Sequence, residues 1–210
     1  MPDETLTPER WRATWRALGV GETDVEEYAT LMQRYDEPHR AYHTRRHLEE
    51  CFSHWEAVRA ESERPGEVEL ALWFHDAVYD PRRDDNESQS AALARDAAMR
   101  ARLSTAAVER VVALVMATQH TAAPGAGDAA RIVDVDLAIL GAPPERFDEY
   151  ERQVRQEYAW VPAPLFRWKR RAVLEELIAR SPLFSTPHFR LGLEPQARAN
   201  LTRSIASLSE

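Results

Sequence analysis

One cysteine, Cys51, is all that the 210 residues contain, so no intramolecular disulfide can form. That usage fits a reducing compartment. No apolar run approaches the ~20 residues that a bilayer-spanning helix needs. Met1 to Leu6 is acidic and leads into no apolar core, unlike a secretory leader, so the expectation is a cytoplasmic chain with no membrane partner. A basic excess is also missing. The 27 Lys and Arg residues face 35 Asp and Glu, and the net charge of −8 argues against a nucleic-acid polymer as partner. Alternation of Val, Ile and Thr long enough for a sheet is absent, as is any internal repeat. No compact motif places two histidines around a glutamate on one helical turn.

What remains is a chain with an ordinary 44% of hydrophobic residues and long stretches of helical periodicity, which predicts one all-α domain spanning residues 1–210. Thr7-Pro8 reads as an N-cap followed by proline at the first helical position, ahead of Trp11, Trp15 and Leu18. Asp24 is expected to open a second helix carrying Val25, Tyr28, Leu31, Met32 and Tyr35. A third, over residues 44–60, has the inward stripe His47, Leu48, Cys51, Phe52, Trp55 and Val58, and assigns Cys51 to packing. Residues 67–79 form a central helix, apolar nearly all round, as suits a helix enclosed by others. Later helices are expected over 86–102, 104–120, 145–158, 165–180 and 194–208, with a flexible loop at 122–127. The total is a multi-helix bundle of about nine or ten helices.

The chemistry is concentrated on the apolar sides of these helices. His75 and Asp76 stand together in the run Trp73-Phe74-His75-Asp76-Ala77-Val78, and His47 and Asp136 come from two other apolar patterns. A carboxylate buried beside an imidazole is costly unless a cation or hydrogen bond compensates it. Two imidazoles with two carboxylates suit a divalent ion of the Mn, Fe, Co, Ni or Zn group, whereas Ca or Mg prefers oxygen alone. Four protein ligands leave room for water and substrate, and such an ion both activates a bound water and polarises a phosphoryl oxygen.

The ordered set His47, His75-Asp76, Asp136 resembles the HD superfamily of metal-dependent phosphohydrolases, an all-α family. More narrowly, Tyr42-His43 with His47, Trp73 to Asp80, Asn86-Glu87 with Ser90-Ala91, Asp134 to Gly141 and Glu194 to Leu201 resemble a bacterial branch of HD phosphohydrolases. The likeness thus covers most of the chain. It implies His47, His75, Asp76 and Asp136 as metal ligands and a hydrolytic reaction, without naming a substrate. Asp134 competes for the last place. The two aspartates point about 200° apart on a helix, so only one can face the ion, and the family pattern favours Asp136.

Around this set stand residues with two readings each. His43, four before His47, holds a second ion or a phosphate, or else supports the site as a capping imidazole. His120 is a second-ion ligand, a phosphate contact or a plain helix-end histidine. Relatives place an acid after the His-Asp pair, which points to Glu87 or Asp80 as the group that manages the proton; their plain readings are a helix N-terminal acid and turn chemistry. Arg40, Arg45 and Arg46 crowd the first histidines, and Arg46 is the candidate phosphate contact. Lys169, Arg170 and Arg171 read as a solvated face, and Arg198 as a partner of Glu194 at helical spacing.

The function expected is hydrolysis of a small phosphorylated metabolite, a nucleotide or related phosphoester, with one divalent transition-metal ion and room for two. A homodimer is compatible with the chain. Two other readings stand beside it: a di-iron HD-type oxygenase, which would need His43 and His120 as ligands, and a non-catalytic metal- or ligand-binding helical protein.

Overall fold

The computed structural model describes residues 5–21, 25–120 and 125–208. The acidic opening, Asp24 as a helix opener and the first half of the expected loop at 122–127 lie outside the described residues. Every regular element among those described is helical. They are α1 (Pro8–Ala17), α2 (Val25–Tyr35), α3 (Arg45–Val58), α4 (Pro65–Phe74), α5 (Asn86–Arg100), α6 (Thr105–Ala117), α7 (Asp128–Asp136), α8 (Pro144–Glu157), α9 (Ala163–Ala179), α10 (Pro187–Gly192) and α11 (Glu194–Ser207). Short 3-10 turns occupy Arg59–Glu61 and Leu137–Gly141.

Local chemistry accounts for several of the helix starts. Thr7 accepts a hydrogen bond from the Arg10 amide at 3.1 Å with Pro8 at the first helical position, and Ser104 accepts from Ala107 at 3.3 Å. Both satisfy amides that the helix itself leaves open.

The chain divides into two compact units, residues 1–135 and 136–210. In the first, α4 packs against α1, α3, α5 and α6, and every one of its residues except Pro65 is buried. Trp11, Trp15, Phe52 and Trp55 are buried with its own Trp73, and Trp11 and Trp73 meet edge to face at 5.5 Å. An acid deep in this packing, Glu69, is satisfied from three sides. It accepts from Trp55 Nε1 at 3.2 Å, from the Thr14 hydroxyl at 3.1 Å and from Arg59 Nε at 2.6 Å. Trp73 Nε1 donates in turn to Thr14 at 3.1 Å, so the polar edges of two buried tryptophans are tied into one network.

In the second unit, α11 packs on α9, α10 and the turn Leu137–Gly141, which α8 also touches. The buried Asn200 of α11 donates to the carbonyls of Leu140 and Ala142 at 2.9 and 2.8 Å, closing the backbone where that turn ends. Arg198 pairs with Glu194 at 2.7 Å, the spacing partner expected, and also holds the carbonyls of Ile178 and Arg180 at the end of α9.

Candidate metal centre

α3 opens at Thr44, whose extended backbone turns the chain into the helix, and His47 in the first turn points inward. One turn later Cys51 occupies the same face, its Sγ 3.7 Å from His47 Nε2. Both are buried.

The His-Asp pair is placed differently from the expectation of a helix over 67–79: α4 stops at Phe74. His75 caps it, and the backbone beyond is held by side chains from other elements. Arg40 donates to the carbonyls of Asp76 at 2.7 Å and Ala77 at 3.3 Å, and Ser90 of α5 accepts from the Val78 amide at 3.0 Å. Consecutive residues of a helix point about 100° apart. Just past the helix end, His75 Nε2 and Asp76 Oδ2 approach to 3.2 Å and face the same point.

His47 Nε2 closes the arrangement, 3.2 Å from His75 Nε2 and 3.4 Å from Asp76 Oδ2. Two donors bound to one ion at about 2.1 Å, at angles between octahedral and tetrahedral, stand about 3.0–3.4 Å apart. The three atoms therefore have the spacing of one face of a coordination polyhedron. Asp136, the last residue of α7, brings a carboxylate to the same place. His47, Cys51, His75 and Asp136 each offer a ligand atom, and these atoms all lie within 4.8 Å of one another.

The tautomer of His75 follows from its other nitrogen. Nδ1 lies 2.8 Å from the Leu72 carbonyl, which can only accept, so Nδ1 carries the proton and Nε2 is the atom turned to the cluster. Electrostatics favour a positive charge, a proton or a cation, at that nitrogen. Burial works against a charged His75, yet the adjacent Asp76 carboxylate and Tyr35 raise its pKa well above the usual histidine value. Burial likewise opposes the Asp76 carboxylate, but His75, His43 and the hydrogen bonds from His47 and His75 hold its pKa well below the usual range. The cluster thus favours positive charge at its centre.

The remaining candidates are distributed around this core. His43 is half-buried, stacked on Tyr79 with ring centroids 4.0 Å apart and 5.9 Å from the His47 ring. Glu87 lies in the first turn of α5. Asp80 is committed to its turn: its Oδ1 accepts from the Arg82 amide at 2.9 Å, and Asn86 brackets its backbone. His120 follows α6 with a left-handed backbone (φ 57°) and is not part of the four-residue group. Asp134 is fully buried on α7 and also stands outside that group.

The arginines expected to form a basic pocket are mostly spent elsewhere. Arg45 pairs with Asp36, Arg46 lies exposed with Glu50 at 3.5 Å, and the buried Arg40 serves backbone carbonyls, His43 among them at 2.9 Å. What the sequence reading missed is Cys51 beside the ligands. The signal available was its spacing of four residues from His47.

Compared with protein-family models, with curated proteins and with solved structures, the chain matches none. What the fold and the site define is an all-α protein with a buried His, Cys, His and Asp cluster that could hold a metal ion.

Proposed function

We propose that this chain is a metal-dependent phosphohydrolase of the HD type, acting on a small phosphorylated metabolite such as a nucleotide or related phosphoester. His47, His75, Asp76 and Asp136 hold one divalent transition-metal ion in this reading. The observation that carries it is the triangle of His47 Nε2, His75 Nε2 and Asp76 Oδ2 with edges of 3.2–3.4 Å, beside the Asp136 carboxylate. An ion of this class, when bound, supplies a water nucleophile near neutral pH and a Lewis acid for phosphoryl oxygens. The chain's own residues do the rest. Leu72 O fixes the tautomer that presents His75 Nε2, and Arg40 fixes the backbone of Asp76. Arg46, exposed beside His47 and within 3.5 Å of Glu50, receives phosphate oxygens. Glu87 manages the proton, since Asp80 already serves the Arg82 amide.

One observation favours a second reading. Cys51 belongs to the same four-residue group, and two His, one Cys and one Asp would close a tetrahedral site with no position for substrate, as in structural ions. Cys51→Ala separates the two: metal and activity persist if the site is catalytic, whereas metal is lost if Cys51 is a ligand.

The deciding experiment measures metal per chain on protein purified without chelator, together with phosphate or pyrophosphate release from a nucleotide panel, beside Asp76→Ala. About one Mn, Fe, Co, Ni or Zn ion, with an activity that the variant lacks, is the expected result. Two irons with oxygen consumption and no hydrolysis would replace this reading by the oxygenase one. No metal even after reconstitution would overturn it.

A further inference from the structure

α9 is a 17-residue helix that buries only Leu174 and Leu177 fully, with Arg170 partly covered beside them on the same face. The opposite face carries Leu165, Trp168, Ala172 and Ala179, spaced by three, four and seven residues, so they form one stripe. All four are exposed, and Trp168 shows 68% of its surface. A tryptophan left so open in an apolar stripe marks a contact surface.

The charges beside the stripe say what covers it. Arg167, Lys169, Arg170 and Arg171 occupy the first half of α9, and Glu175 and Glu176 the second. This order is the reverse of what the helix dipole favours, acids at the start and bases at the end, so helix stability does not account for it. Arg170 and Arg171 are engaged within the chain, with Glu151 and Glu175. Lys169 and Glu176 make no ion pair among the described residues, although both flank the stripe on the same side.

We infer that α9 is a homodimer surface on which a second copy of this chain lays its own α9 antiparallel, about a two-fold axis near Ala172. In that register Leu165 of one copy faces Ala179 of the other, and Lys169 faces Glu176, twice over by symmetry. The small side chain of Ala172 at the axis lets the helices approach, and Trp168 packs on either side of it. The unfavourable charge order along one helix becomes complementary across two.

The test is sedimentation or light scattering across micromolar concentrations, with folding of each variant checked by circular dichroism. The wild type is expected to dimerise. Lys169→Glu and Glu176→Lys should each raise the dissociation constant about tenfold or more, and the two together should restore it, a rescue that general loss of structure cannot produce. Ala172→Cys should form a disulfide-linked dimer under mild oxidation while the wild type does not, because its only cysteine, Cys51, is buried. A wild type that stays monomeric overturns the inference, as does a dimer that ignores both charge reversals or an Ala172→Cys variant that fails to cross-link.

Discussion

Arg40 donates to the backbone carbonyl of Asp76 at 2.7 Å while the carboxylate of the same residue faces His47 and His75. The guanidinium also reaches the carbonyls of His43 and Ala77, so one buried cation ties the approach to α3 to the segment that follows α4. Arg40→Met keeps the bulk and removes these donors. It should cost about 2–4 kcal/mol in urea unfolding, because three partly or fully buried carbonyls lose their charged donor. Metal affinity should fall by about tenfold or more, as it does when groups that orient ligands are lost. An unchanged midpoint and unchanged affinity would show that Arg40 is dispensable.

Glu69 concentrates the polar needs of the tryptophan cluster on one carboxylate. Glu69→Leu fills similar volume but leaves Trp55 Nε1 and the Thr14 hydroxyl with one partner fewer. The expected loss is about 2–4 kcal/mol, with a change in tryptophan fluorescence. Stability equal to the wild type would mean that the network is electrostatically neutral in its effect.

Gly141 ends the 3-10 turn against Leu193. A Cβ at this position would stand 2.6 Å from Leu193 Cβ and 2.9 Å from Leu193 O. Gly141→Ala should therefore destabilise by about 1–3 kcal/mol. Adding Leu193→Gly removes the side-chain clash but not the carbonyl one, so only partial recovery of the melting temperature is expected.

Glu194 accepts from Arg198 and from the Leu183 amide, and despite some burial these partners hold its pKa below the ordinary glutamate value of 4.5. A carboxyl with a depressed folded pKa contributes stability above its unfolded value and loses it as pH falls through the folded one. Melting temperature should thus drop more steeply below about pH 4.5 in the wild type than in Glu194→Gln. Parallel curves for the two proteins would count against this role.

Much of the fold is readable from local chemistry, because caps such as Thr7-Pro8 and Ser104 act within a few residues of themselves. The end of α4 is not readable in that way. Ala77 and Val78 continue an apolar run that suits a helix, and what stops it is Arg40 and Ser90, partners contributed by other parts of the chain. Among the candidate ligands that come together, His47 stands on an inward stripe that periodicity reveals, whereas His75 follows a run that is apolar nearly all round and Asp136 is chosen over Asp134 only by the resemblance. Cys51 lies on the same inward face, but periodicity alone does not distinguish a packed thiol from one beside ligands. The arginines around His43 look alike in sequence. Only packing shows that Arg40 is consumed by backbone carbonyls while Arg46 is left at the surface.

The near-complete enclosure of α4 also sets a clock for the site beside it. Amides inside such a helix exchange with solvent only when the whole unit opens, so α4 should be among the slowest segments to take up deuterium. His75 and Asp76 begin one step past its last residue, where helix hydrogen bonds give way to contacts from Arg40 and Ser90. A cation drawn into the cluster would slow exchange at residues 76–80 and leave α4 as it was. Binding could then be followed by isotope uptake alone, without knowing the substrate.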